Sequence, residues 1–282
     1  MRVTRRSFLQ AVSVVPALTI CPPTSVAGQA DESPLFTFVV DADPHTSMDR
    51  AGELTGREKF RRILKKVQEL PARPDFMLIL GDVHGQPLRE ILTDVDFDLP
   101  IHVVFGNSDD APGRKILRGM FPGDFADADS YAFTHKRCKF IGLCNAIPGD
   151  HVGHLSSEFY RGLEQCSWLE SQLAEGQERC SHTFVFGHIP LPPQLKEANY
   201  YLAVNDQRFL RQLVLKYQPT ALLFGHLHRL ETFSIERTRV ISVHGSNWTN
   251  ILVPPPYDPI GFNLVRVYRK RFAVEFIPMA IS

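Results

Sequence analysis

The chain has 282 residues, 44% of them hydrophobic, enough to bury a sizeable core in one or two domains. Lys plus Arg and Asp plus Glu each number 31, so the formal net charge is zero. Arg2, Arg5 and Arg6 are the only charges in the first thirty residues; taking those three away leaves 28 basic against 31 acidic residues, and no basic stripe survives to serve as a nucleic-acid binding module.

The first element is a leader. "MRVTRRSFLQAVSVVPALTI" has a charged start and an apolar stretch broken by Pro16, too short and interrupted to span a bilayer. Within it, Thr4 to Gln10 (TRRSFLQ) resembles the twin-arginine export motif, which implies a bacterial-type protein exported already folded, to the periplasm or beyond. "SVAG" at 25–28 offers a small-residue cleavage site after Ala27. Lipid anchoring through Cys21 is the rival reading, and Ile20 before that cysteine fits it poorly. Residues 1–30 are therefore read as a signal peptide and 31–282 as a single domain.

"LFTFVV" at 35–40 predicts a buried strand, and "REKFRRILKKVQEL" at 57–70 a helix with Phe60, Ile63, Leu64 and Val67 on one face, stopped by Pro71. "FMLIL" at 76–80 and "IHVVF" at 101–105 predict further strands, and this alternation of strand and helix implies a parallel sheet. "YAFTH" and "CKFIGLC" follow as strands about a tight turn. "LEQCSWLESQLAEG" is helical with a glycine stop, and "DQRFLRQLVLKY" is a helix between the strands "HTFVFGH" and "ALLFGH". From Leu230 onward come "ETFSIE", "RVISVH", "FNLVRVY" and "FAVEFI", which suggest a second sheet. "LVPPPYDP" reads as a rigid surface connection. The five cysteines form no CxxC pair and are too few for a disulfide scaffold.

Five apolar runs end in residues that metals use. "FVVDADPH" supplies Asp43 and His45, "LILGD" Asp82, "VVFGNSDD" Asn107, "FVFGH" His188, and "LLFGHLH" His226 and His228. Glycine precedes the polar residue in four of the five, allowing a sharp turn and a close backbone approach. The carboxyl ends of strands form the crevice where ligands bind in sheet-based folds, so seven donors would converge. Two carboxylates, an amide oxygen and four imidazoles suit Mn, Fe, Zn or Ni. The set is too rich in nitrogen for calcium and lacks the thiolates of a structural zinc site. Seven donors exceed one tetrahedral ion and fit two, with one carboxylate bridging.

In this order the blocks resemble those of the calcineurin-like metallophosphoesterases: Asp43-Pro44-His45, Gly81-Asp82, Gly106-Asn107-Ser108-Asp109, Gly187-His188 and Gly225-His226-Leu227-His228. "QCSWLESQL" is similar to a helix of that family. The resemblance implies an α/β fold of two packed mixed β-sheets flanked by helices, a four-layer αββα sandwich. It implies two divalent or trivalent transition-metal ions, one held by Asp43, His45, Asp82 and His228, the other by Asp82, Asn107, His188 and His226. Asp82, Asn107 and His188 would take part directly in hydrolysis of a small phosphomonoester or phosphodiester, through attack by a hydroxide bridging the metals.

One position departs from the pattern. The family's third-block histidine, the acid that protonates the leaving group, is Ser108 here, and a hydroxyl is a far weaker acid than an imidazolium. That departure favours the alternative of a non-catalytic binding scaffold on the same fold, whereas the seven filled ligand positions oppose it. Other polar residues have plainer readings. Asp41 is expected at a strand-end turn, and Asp109 and Asp110 either assist the site or sit in a solvated loop. His84, His151 and His154 are surface histidines unless the crevice takes them. His102, His135 and His182 are assigned to packing or surface, and His244 is left open.

Overall fold

A computed structural model of the chain describes residues 33–49, 53–155, 164–197, 199–248 and 259–279. The segment expected to be a leader, its expected cleavage point and Cys21 lie outside the described residues, as does most of "LVPPPYDP". Among the described residues no helix is long and apolar enough to cross a membrane.

The first half alternates as the sequence implies: β1 (Phe36–Asp41), α1 (Gly56–Gln68), β2 (Phe76–Leu80), α2 (Gly85–Val95), β3 (Ile101–Val104) and α3 (Ala111–Met120). α1 starts where Thr55 accepts from the Glu58 amide while the Glu58 carboxylate accepts from the Thr55 amide, a reciprocal cap of the first turn. Its Phe60, Ile63, Leu64 and Val67 are all buried. The chain continues through β4 (Tyr131–His135), β5 (Cys138–Gly142), α4 (Gln165–Arg179), β6 (His182–Phe186), α5 (Val204–Tyr217), β7 (Ala221–Phe224), β8 (Glu231–Ile235), β9 (Thr238–Ser242), β10 (Gly261–Val267) and β11 (Phe272–Pro278).

These strands make two mixed sheets with helices outside. One has the order β11-β10-β1-β2-β3 and the other β4-β5-β6-β7-β9-β8. β1, β2 and β3 run parallel, as do β5, β6, β7 and β9, while β10, β11, β4 and β8 join antiparallel. The late strands thus correct the expectation of a second sheet beginning after Leu230. β8 and β9 complete the sheet already begun by β4, whereas β10 returns to the first sheet and pairs with β1.

Aromatic rings interlock between the sheets. The Phe38 ring of β1 meets Phe140 of β5 edge-on at 5.3 Å and Phe184 of β6 at 5.6 Å, and Phe76 of β2 meets Phe140 at 5.1 Å. The outer face of the second sheet packs Val185, Leu222 and Val240 against Leu169 and Leu173 of α4 and Leu210 and Val214 of α5. The glycine expected to stop α4 lies inside it. A Cβ on Gly176 would sit 2.5 Å from Thr183 Oγ1, so the glycine serves close packing of α4 on β6 rather than termination.

Candidate metal centre

The parallel strands deliver their last residues to one end of the two sheets, and all seven expected donors meet there. Asp43 and His45 follow β1, Asp82 follows β2, Asn107 follows β3, His188 follows β6, and His226 and His228 follow β7. All seven are buried. Asp43, His45, Asp82, His226 and His228 have positive φ, from 39° to 68°, in a region that costs a non-glycine residue about 1–3 kcal/mol and that clusters at functional sites. Gly81 allows the close approach behind them: a Cβ there would lie 2.5 Å from His188 Nδ1.

Two groups of ligand atoms form. Asp43, His45 and His228 make one, Asp82, His188 and His226 the other, each with its ligand atoms within 4.8 Å of one another. Asp82 lies between them, with Oδ2 3.3 Å from His45 Nε2 and Oδ1 3.4 Å from His188 Nε2. Within the first group His228 Nε2 is 3.3 Å from Asp43 Oδ1 and 3.2 Å from His45 Nε2. Within the second His188 Nε2 is 3.2 Å from His226 Nδ1 and 3.0 Å from Asn107 Oδ1.

Backbone carbonyls assign two of the tautomers. His188 Nδ1 donates to the Leu80 carbonyl at 2.7 Å and His228 Nδ1 to the Trp248 carbonyl at 3.0 Å. With the ring proton on Nδ1, Nε2 is the atom each ring turns to the cluster. Asp43 Oδ1 and His226 Nε2 are buried without a hydrogen-bond partner. Lone pairs converging without protons between them are the arrangement a cation relieves, and this donor set fits borderline divalent ions.

Burial and mutual proximity shift these groups in different directions. Burial, and then the neighbouring His228, push His45 down to about 2, so its ring is neutral at physiological pH. Burial and His188 together hold His226 well below the usual histidine range. Burial raises the Asp43 carboxyl, but His228, His188 and His45 outweigh it and hold the group below its ordinary value. Burial pushes Asp82 up, with His188 offsetting part of the rise. Burial opposes charge on His228, yet Asp43 beside it leaves that ring raised.

Further residues support the donors, and Asp109 takes the assisting one of its two expected roles. Asp109 is fully buried: its Oδ1 accepts from the Val83 and His84 amides at 2.9 and 2.8 Å, and its Oδ2 from the Gly106 amide at 2.8 Å. It ties the turn after β2 to the turn after β3 and is no solvated loop residue. Asn145 accepts the amides of His188 and Ile189 at 3.0 and 3.1 Å and donates to the Ile189 carbonyl. Asn247 donates to the His45 carbonyl at 3.0 Å, and the Trp248 ring stacks on His45 with centroids 4.1 Å apart. Asp41, expected at a strand-end turn, is the last residue of β1 and is fully buried, because the chain runs on into the site instead of out to solvent.

Ser108 takes a definite role. Its amide donates to Asp82 Oδ1 at 2.7 Å and its hydroxyl to Oδ2 at 3.0 Å, so it clamps the carboxylate shared by both groups. At the rim, His151 Nδ1 is 3.4 Å from Asn107 Nδ2, and its ring lies 5.8 Å from His226 and 5.1 Å from Tyr200. His84 accepts from the Ser47 amide and its ring is 5.6 Å from His45. The remaining histidines lie elsewhere. His102 pairs with Asp124, His135 with Asp75 and His154 with Asp150, while His182 bonds the Tyr268 carbonyl and His244 packs on Phe276.

Comparison with known proteins gives a consistent result. The profile of the family described as "Calcineurin-like phosphoesterase" matches residues 36–230. A Rhodococcus erythropolis protein bearing the name "Probable cyclic nucleotide phosphodiesterase" is 26% identical over 237 residues, covering 78% of this chain and 75% of that one. The Serine/threonine-protein phosphatase CPPED1 of Rattus norvegicus is 28% identical over 233 residues, 69% of this chain and 70% of its own. Among solved structures, a dimetal phosphatase from Danio rerio shares the fold with a TM-score of 0.64 at 18% identity, over 89% of this chain and all of that one.

Proposed function

Because this chain belongs to the calcineurin-like phosphoesterase family and is a hydrolase of ester bonds, we propose that it cleaves a small phosphomonoester or phosphodiester at a pair of metal ions. One ion would be held by Asp43, His45, Asp82 and His228, the other by Asp82, Asn107, His188 and His226. The observation that carries this reading is the position of Asp82, whose two carboxylate oxygens each face one of the two ligand groups. When bound, such a pair supplies an acidified water and neutralises charge on the phosphate.

The protein's own residues orient and exclude. His188 and His228 keep their Nε2 lone pairs on the cluster because Leu80 and Trp248 fix the other ring nitrogen. Ser108 holds Asp82 with both hydrogen bonds, which engages its hydroxyl and leaves no imidazole at the family's usual acid position. His151, Tyr200, His84 and Trp248 form the rim through which an ester would enter, and they are the residues able to contact its organic part.

The test is a substrate panel on metal-reconstituted protein, with p-nitrophenyl phosphate, bis(p-nitrophenyl) phosphate, cyclic nucleotides and phosphopeptides. Turnover of at least one class, lost in Asp82→Ala, supports the reading. No turnover above the Asp82→Ala background on any of them would favour the non-catalytic scaffold instead. We also infer export by the twin-arginine route, on the TRRSFLQ motif alone; Arg5→Lys with Arg6→Lys is expected to trap precursor inside a bacterial cell, and normal export of that variant would refute it.

A further inference from the structure

A cavity of about 600 Å³ opens at the end of the sheets opposite the candidate metal centre. β6 begins at its wall with His182 and ends beside His188, and β7 likewise follows Thr220 and leads to His226, so about 20 Å of extended chain separates the two sites. Five cations line the cavity: Arg237 and Arg239 from the β8–β9 hairpin, and Arg269, Lys270 and Arg271 from the β10–β11 turn. No aspartate or glutamate lines it.

This concentration is unlike the rest of the surface. Elsewhere the basic side chains are widely paired with acids, as in Arg57–Glu90, Arg61–Asp94, Arg73–Asp98, Lys136–Asp75 and Lys216–Glu170. Among the described residues none of the five cavity cations has a carboxylate partner. Two of them rest on aromatic rings, Arg239 at 5.3 Å over Phe272 and Arg271 at 3.7 Å over Tyr268, which orients guanidinium groups without neutralising them.

The helix ends nearby do not account for the charge. α4 and α5 both terminate at the cavity, and each carboxyl end carries roughly half a negative charge. Together they balance about one of the five cations. The turn that carries three of the cations is tied down, since His182 Nε2 donates to the Tyr268 carbonyl at 2.8 Å and the Tyr268 amide donates to Arg271 O at 2.9 Å. The volume lies within the range of about 300–1,000 Å³ that small-molecule sites occupy.

We propose that this cavity is a second ligand site, which binds a small anion carrying two or more phosphate groups. Guanidinium forks match phosphate oxygens in pairs, and Tyr217 and Phe272 on the cavity wall would border an organic portion. The site is independent of the chemistry at the metals.

The test is calorimetric titration of the full metal-loaded chain, in excess Mg²⁺, with inorganic tripolyphosphate and with the β,γ-imido analogue of ATP. Binding is expected in wild type. It should weaken by about 10-fold or more in Arg269→Gln/Arg271→Gln, which removes two charge-assisted contacts, and by less in Arg269→Lys/Arg271→Lys, which keeps the charge but loses the paired fork. Asp82→Ala, which disables the metal centre, is expected to retain it. Equal affinity for the two probes identifies phosphate alone as the recognised group; tighter binding of the imido analogue identifies a nucleotide. Failure of wild type to bind either probe, unchanged binding in the Arg→Gln pair, or loss of binding in Asp82→Ala would each overturn the proposal. So would retention of RNA or anionic vesicles with no binding of either polyanion.

Discussion

The Nε2 atom of His188 lies 3.0 Å from the side-chain oxygen of Asn107, and neither atom carries a hydrogen when the ring is neutral. The ring proton is on Nδ1, committed to the Leu80 carbonyl. Two acceptors at this distance repel unless a positive charge stands near both, and Asp82 Oδ1 at 3.4 Å from the same nitrogen adds a third. The consequences of that geometry can be checked one residue at a time.

Asp109 holds the site together without belonging to it. Replacing it by alanine strands the buried amides of Val83 and Gly106 and the part-buried amide of His84. Each stranded donor costs about 1–3 kcal/mol and relaxation recovers part, so Asp109→Ala is expected to lower stability by about 2–4 kcal/mol. Chemical denaturation measures this. Stability within about 0.5 kcal/mol of wild type, the range of ordinary surface substitutions, would mean that those amides find other partners.

Asp41 makes a prediction about pH. It is fully buried, Ser246 Oγ donates to Oδ2 at 3.2 Å, and Oδ1 has no hydrogen-bond partner. Burial raises its carboxyl well above the ordinary value. An acid whose pKa is higher in the folded than in the unfolded chain favours folding when protonated. Its contribution is fully present below the unfolded value of about 3.9 and is lost as pH rises towards the folded one. Asp41→Asn removes that loss. In EDTA-treated protein the variant is expected to unfold at higher urea than wild type at pH 8, with the difference shrinking towards pH 5. A difference that does not change with pH would contradict a raised Asp41.

Much of this site could be read from the sequence because its chemistry is local. A glycine after an apolar run, then a residue of metal-ligating type, needs no tertiary information to recognise, and Asp82, Asn107, His188 and His226 all follow that rule. The supports could not be read in that way. Asp109 looks like any loop aspartate until the turns after β2 and β3 are brought side by side. Asn145 did carry a signal, since it follows the apolar run "CKFIGLC" as the ligands follow theirs, but it lacks the preceding glycine. α2 and α3 are hard to read from sequence because "GQPLREILTDV" and "APGRKILRGM" carry glycine and proline in their first turns, which weaken a helical pattern although they suit a first turn. The pattern of "FNLVRVY" fixes a strand but not its partner. Its return to β1 depends on the whole course of the chain.

Ser108 should show itself in the dependence on leaving group. A histidine acid is typically worth about 10²–10⁴-fold, and that help is missing where protonation matters most, on alkyl esters. Wild type is expected to favour aryl over alkyl phosphates, with a steep plot of rate against leaving-group pKa. Ser108→His is expected to raise alkyl rates by more than aryl rates, although it gives up the hydroxyl bond to Asp82. A flat plot for wild type would show that another group, with His151 at the rim the first to try, already delivers the proton.

The most direct measurement is metal content. Elemental analysis of purified protein, reconstituted with Mn, Fe or Zn and freed of excess, is expected to give two ions per chain. Asp82→Ala, which removes the carboxylate facing both groups, is expected to give fewer than one and to lose turnover by at least about 100-fold, more than the 10–100-fold typical when only a ligand's supporting partner is removed. One ion per chain in wild type, unchanged by Asn107→Ala, would contradict a two-metal centre.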